Sequence, residues 1–332
     1  MRSLYFLLPG TTGKFACGGL FAELKTVHLA QQICEAAVVT YQQRESNTLF
    51  LDDLLKSEQA HSSIFVVSWG FHVPKLIARL RGRAILYHAH SAGYGFKLPA
   101  SVPILAVSRN TMGYWGQQCP NTPIYYLPNQ ISPEFSDLAL PRNIDVLVQA
   151  RKSSEYLLTQ LLPALQDRCR VVVLDRFVED LAGLFNQAKV YLYDSAEYWA
   201  QYKISEGFGL PPLEAMACGC QVFSSVNGAL ADYLDPEFNC QTIGVYSTAY
   251  DVERILAAVH HPRLPKLGTD FFEHYREEKL IQRWQKILES VNQFFDHTEH
   301  FTSDVPELST LRLARLRAKR LWQKAYSKLN LK

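Results

Sequence analysis

The chain contains no apolar run of the ~18–20 residues that a membrane span needs. It contains no Asp-x-Asp pair, the kind of carboxylate spacing that holds a divalent metal against a diphosphate. Its seven cysteines are odd in number and form no spaced pairs. Cys218 and Cys220, two apart, suit neither a zinc knuckle nor a redox pair, and the set reads as reduced thiols in a cytoplasm. Met1-Arg2-Ser3 leads straight into Leu4–Leu8, an apolar stretch too short for a signal peptide. Strong net charge is missing as well: +2 over 332 residues argues against a general nucleic-acid binder. There is no low-complexity segment and no internal repeat beyond two similar halves. At 48% apolar and 20% charged residues, this is an ordinary globular composition, long enough for two domains.

The halves alternate strand and helix. In the first, strand-like runs at 4–8, 36–41, 64–69, 84–88 and 104–108 are separated by helical patterns such as 72–80 and 109–117. In the second, runs at 145–150, 170–174, 189–193 and 221–225 alternate with helices at 179–187 and around 213–217. Alternation of this kind predicts parallel sheets wrapped by helices, with ligands at the carboxyl ends of the strands. An aperiodic, proline-containing stretch over 132–143 separates the halves. The expected division is 1–135, 143–270 and a helical remainder, 271–332. The first strand opens into Pro9-Gly10 and then Gly18-Gly19, a glycine-rich loop before a helix. Its spacing fits neither a dinucleotide fingerprint nor a Walker loop. These glycines read equally well as a flexible loop or as a close backbone approach to a ligand.

One stretch stands out. Glu206 to Gly219 reads EGFGLPPLEAMACG. Pro211 and Pro212 suit a helix start, and Cys218-Gly219 ends it. Glu206 then lies in the loop before the helix and Glu214 in its first turn. Both sit near an end whose free N–H groups and dipole attract anions. Two carboxylates there suit a polyhydroxylated ligand that also carries phosphates, such as a sugar with a diphosphate. Taken alone, Glu214 would read as a favourable first-turn acid.

Glu206, seven residues, Glu214, with Gly207-Phe208-Gly209 between, resembles the motif of the retaining glycosyltransferases of the bacterial group 1 (family 4) type. The resemblance covers about 1–295 and is strongest over 145–245. It implies two doubly wound Rossmann-like α/β domains facing across a cleft, the GT-B fold, with a nucleotide sugar as donor. By resemblance, Glu206 holds hydroxyls of the donor sugar and Glu214 holds the ribose. The backbone at Phe208, Gly209 and Leu210 lies against the sugar. Gly18 and Gly19 face the donor phosphate and acceptor side. His88 and His90 share one face of their strand. They offer two metal ligands with no third evident nearby. By resemblance, His90 contacts the donor sugar while His88 is structural.

Arg151-Lys152 ends a strand. It reads either as a solvated pair or as a phosphate clamp. In the family, an Arg ends this strand and a Lys follows about five residues later. Arg151 matches; Lys152 comes early, so either a shortened loop lets it fill the place or the second cation is missing. Gln130 replaces the usual Gly after Asn129. A ten-residue aromatic insertion, 196–205, precedes Glu206.

The expected activity is transfer of a hexose to an acceptor hydroxyl with retention, in polysaccharide or glycoconjugate synthesis. Catalytic roles fall to Glu206, His90, Arg151 and Lys152. Fixed cations and helix dipoles stabilise the leaving diphosphate, so no metal and no other cofactor is expected. A phosphorylase or synthase on the same fold, or a non-catalytic nucleotide-sugar-binding partner, are the rivals. Finally, 309–332 carries eight Lys/Arg and no acid, which leaves the rest of this +2 chain near −6. Leu311, Ala314, Ala318, Leu321, Trp322, Ala325 and Leu329 recur at helical spacing over 311–329. Arg312, Arg317, Lys319, Arg320, Lys324 and Lys328 lie opposite, with Arg315 at the apolar edge. Such a helix suits an anionic membrane and a lipid-linked acceptor; it also reads as a last helix packed on the body.

Overall fold

The computed structural model describes residues 1–68, 70–261 and 267–329, with no side-chain description of 328 and 329. The expected strand end at Trp69, and the side chains of Lys328 and Leu329 in the predicted tail face, lie outside the described residues. The first domain holds β1 (Leu4–Leu8), α1 (Gly18–Gln31), β2 (Ala36–Thr40), β3 (Leu49–Phe50), α2 (Leu51–Leu54), β4 (Ile64–Val67), α3 (Val73–Arg79), β5 (Ala84–Ala89), β6 (Ile104–Ala106), α4 (Arg109–Gln118) and β7 (Ile124–Tyr126). Its strands form one parallel sheet in the order β3-β2-β1-β4-β5-β6-β7. β1 is buried at every position because helices cover both faces. Tyr5 and Leu7 point to the face of α2, α3 and α4, where Leu76 and Trp115 pack. Leu4 and Phe6 point the other way, against Val27 of α1.

The second domain holds β8 (Ile144–Gln149), a π-helical turn at Leu157–Leu161 running into α5 (Leu162–Gln166), β9 (Val171–Leu174), α6 (Leu181–Gln187), β10 (Ala188–Tyr193), α7 (Ala196–Tyr202), α8 (Leu210–Ala217), β11 (Gln221–Ser224), β12 (Gln241–Thr242) and α9 (Thr248–His260). Its parallel sheet runs β12-β11-β10-β8-β9. Both orders reverse once, between β1 and β4 in the first sheet and between β8 and β10 in the second. At such switch points the flanking loops diverge and leave a crevice at the strands' carboxyl ends. The short strands β3 and β12, two residues each, have no counterpart in the sequence reading.

After α10 (Thr269–Glu273), α11 (Glu277–His300) returns to the first domain. Leu280, Trp284 and Leu288 bury themselves against Leu4, Phe6 and Ile64. Arg276 pins the crossing by donating to the carbonyls of Ser132 (2.7 Å) and Phe135 (2.5 Å). The last helix, α12 (Thr310–Leu329), stands off the body. Leu311 keeps 81% of its surface exposed, Leu321 and Trp322 68% each.

Candidate active site in the interdomain seam

The Glu206–Gly219 stretch folds as its residues dictate. Gly209 adopts φ +77° as the N-cap of α8, a left-handed conformation that favours glycine. The prolines stand at the helix start, where no N–H is required. Gly219, at φ +81°, closes the other end, its N–H donating to Met216 O (2.9 Å). The helix begins at Leu210, so Glu214 falls on its second turn, not the first. Phe208 is a core side chain, packed on Tyr233 and Tyr275. Only its backbone remains for a ligand, and the Gly209 carbonyl accepts from the Tyr233 hydroxyl.

Glu206 is buried, and three donors converge on one of its oxygens. Tyr193 Oη (2.8 Å), Ser195 Oγ (2.9 Å) and Trp199 Nε1 (2.6 Å) all donate to Oε2. Burial pushes the Tyr193 phenol well up, so it stays a donor. Oε1 has no hydrogen-bond partner among the described residues. The carboxylate is thus fixed in orientation with one oxygen uncommitted. Glu214 is also buried, without such donors, and burial raises it to about 7. Lys25 of α1 lowers it slightly and Glu134 raises it. That places Glu214 where the two domains meet.

Arg151 and Lys152 form the exposed turn after β8. Lys152 takes φ +62°. Its ammonium rests over the ring of Trp199 (4.6 Å) and near Tyr198 (5.7 Å). The aromatic insertion is α7, and it joins Lys152 to Glu206: the indole faces the cation and its N–H bonds the carboxylate. Glu197 holds the other side, accepting from the backbone N–H of Glu155 (2.9 Å). The structure therefore brings Glu206, Lys152 and Arg151 to one strand-end cluster.

The first domain closes on this cluster. A Cβ on Gly207 would run into the carbonyl oxygen of His90. Ser91 Oγ donates to Ser205 O (2.6 Å), and Ser205 N to Ala92 O (3.1 Å). Asp232 accepts from the backbone N–H groups of Arg109 (2.5 Å) and Asn110 (3.2 Å). The seam is tight at these contacts, and a cavity of about 520 Å³ lies behind α8, beside Arg142 and Lys189.

His88 and His90 have the third partner that the sequence did not reveal: Glu23 of α1. Its Oε2 lies 2.6 Å from both His88 Nδ1 and His90 Nε2. The three could hold a metal ion by position. Gly18 and Gly19 start α1, one turn before Glu23, and nothing crowds a Cβ at Gly18. Both are exposed and uncrowded, so packing does not require glycine at either position. Glu23 and Tyr193 carry no motif of their own, and the aromatic insertion hinted at Trp199.

Residues 154–262 match the family model described as "Glycosyl transferases group 1". No curated protein sequence matches the chain. Among solved structures, the fold is similar to sucrose-phosphate synthase from Thermosynechococcus elongatus, with TM-score 0.60 and 15% identity over 88% of this chain and 100% of that one. It is similar to Anabaena HepE, solved with UDP and glucose, at 0.56 and 15% over 87% and 100%. A glycosyltransferase from Rickettsia africae follows at 0.58 and 11% over 89% and 98%. The two-sheet frame is therefore the GT-B fold, and the segment 154–262 that carries Glu206 and Glu214 is similar to the group 1 glycosyl transferases.

Proposed function

We propose that the protein transfers a hexose from a nucleotide diphosphate sugar to an acceptor hydroxyl, with retention at the anomeric carbon. The observation that carries this is Glu206, buried at the seam, held on Oε2 by three donors and open on Oε1. A carboxylate fixed in this way is suited to accept from sugar hydroxyls. Glu214 takes the ribose, and the α8 tip with the Gly207–Leu210 backbone lies along the sugar. Arg151 grips the diphosphate in bidentate fashion and Lys152 adds point charge as the leaving group departs. Gly18 and Gly19 let the α1 tip approach it from the other domain. Fixed cations make a divalent metal unnecessary in this scheme. HepE, with UDP and glucose bound, offers a precedent for such a ligand on this fold.

The same proposal places the protein at the inner face of a membrane, acting on a lipid-linked acceptor in polysaccharide or glycoconjugate synthesis. The support is α12, basic on one side and with Leu311, Leu321 and Trp322 uncovered. No helix among the described residues is long and apolar enough to cross a membrane. A second reading, a nucleotide-sugar-binding partner without turnover, draws on α7, whose Trp199 already occupies Glu206 Oε2. Incubating the protein with nucleotide sugars in excess chelator, and reading product configuration by NMR, tests the proposal. Turnover with retention is expected. Binding without turnover points to the partner, and activity that returns only with Mn²⁺ or Mg²⁺ contradicts the metal-free scheme.

A further inference from the structure

We propose that Trp199 is a positioning residue that holds Lys152 and Glu206 together, so that the early lysine and the aromatic insertion act as one device in the donor site. This rests on the transferase reading above, which gives Trp199 no part in turnover.

Helix α7 does not serve the core. None of its side chains is buried. Trp199 joins none of the hydrophobic clusters among the described residues. It is half-buried, standing between exposed Lys152 and buried Glu206. Its indole uses both of its chemistries there. The N–H donates to Glu206 Oε2 at 2.6 Å, and an indole N–H can only donate. The ring receives the Lys152 ammonium 4.6 Å from its centroid. Lys152 turns at φ +62°, a conformation that side chains rarely adopt and that surrounding contacts must hold. The indole is one such contact. Without it, the flexible four-carbon stem of the lysine is free to swing into solvent.

The indole is itself anchored from both domains. At the start of α7, Glu197 Oε2 accepts from Glu155 N (2.9 Å) in the second domain. After its end, Ser205 N donates to Ala92 O (3.1 Å) and Asn110 Nδ2 to Ser205 Oγ (3.3 Å), both in the first domain. A Cβ on Gly93 would lie 2.5 Å from Lys203 O, so the chain leaving α7 is pressed against that loop. Tyr198 stands edge-on to the indole, with centroids 5.1 Å apart. These contacts fix where the indole stands. It then sets two things at once. Oε2 is occupied, so Oε1 is the oxygen left for the sugar. The ammonium is kept on the ring of the same indole, where the diphosphate would lie.

The full chain labelled with ¹⁵N-tryptophan tests these contacts without substrate. The Trp199 indole N–H, assigned by its loss in Trp199→Phe, should resonate downfield and exchange slowly with solvent. It should move in Glu206→Gln and in Lys152→Ala. For turnover, nucleotide sugars of UDP, GDP, ADP and dTDP are screened by thermal shift, and the one that binds is carried forward. Trp199→Phe keeps a ring over Lys152 and removes the donor to Glu206. Its kcat should fall about tenfold, with donor Kd within twofold and melting temperature unchanged. Trp199→Leu removes both contacts, so donor affinity should also fall, as far as in Lys152→Ala. Combining Trp199→Leu with Lys152→Ala should weaken donor binding no further than either alone. A freely exchanging indole N–H, kcat within twofold of wild type in Trp199→Phe, or losses that multiply in the combined variant would overturn the proposal. Wild type that binds none of the four nucleotide sugars would overturn the transferase reading, and the proposal with it, whatever the indole shows. Where Trp199→Leu fails to fold, the indole resonance and the Trp199→Phe kinetics decide.

Discussion

Glu206 and Glu214 are eight residues apart and live in different surroundings. Donors crowd the first; burial dominates the second. For Glu214 the folded state binds its proton more tightly than the unfolded chain does. Its contribution to stability is fully present below about 4.5 and is lost as pH rises through about 7. A shift of that size corresponds to about 3 kcal/mol. Glu214→Gln should flatten the fall in melting temperature between pH 5 and 8; an unchanged slope would show that another group causes it. Glu214→Ala should weaken donor binding, whereas Glu206→Ala should mainly lower turnover. If Arg151 grips phosphate, Arg151→Ala should cost more than Arg151→Lys, about 1.5–3 kcal/mol of donor binding for the lost contact. Lys152→Ala with unchanged donor affinity would leave the early lysine without a role. The two glutamates were legible because their motif is contiguous. Glu23 was not, because its partners lie 65 and 67 residues away and meet it only once α1 packs beside β5.

At the scale of elements, the βα alternation and nearly every strand were legible from apolar runs, since a strand covered on both faces must be apolar throughout. The two-residue strands were not, being too short to leave a pattern. The helix tip shifted by a residue or two because Gly209 accepts the left-handed N-cap and Leu210 begins the helix, which moves Glu214 along by half a turn. Glycines give the element-scale prediction. Gly207→Ala must push its methyl into His90 O, so it should separate the domains and cost at least ~2 kcal/mol. Gly113, exposed in mid α4 with open space around its Cβ, should behave oppositely: Gly113→Ala should stabilise by roughly 0.5–1 kcal/mol. Thermal melts of both decide it. Equal effects would mean that the seam is looser than described. Insertion α7 was visible only as excess sequence; its bridging of Lys152 and Glu206 required the fold.

For the whole molecule, the sequence suggested two domains in series and then helices. The chain instead crosses back, and α11 completes the first domain's core through Trp284. Amphipathic spacing marks a helix that packs but not which body receives it. The same ambiguity attended α12, where a packed helix and a membrane helix read alike; in the structure Leu311, Leu321 and Trp322 are uncovered. Removing 309–332 should leave melting temperature and soluble-substrate activity unchanged and abolish binding to anionic vesicles at low salt. Unfolding on truncation would make the helix structural. The claim on which all of this depends is that the seam holds a nucleotide sugar through Glu206, Glu214 and Arg151. The most direct measurement is a thermal-shift screen of nucleotide sugars on wild type and on Glu214→Ala. A donor at 100 times its Kd should stabilise wild type by ~2.7 kcal/mol, and the variant clearly less at the same concentration. No shift with any nucleotide sugar, or equal shifts in both proteins, would contradict the account.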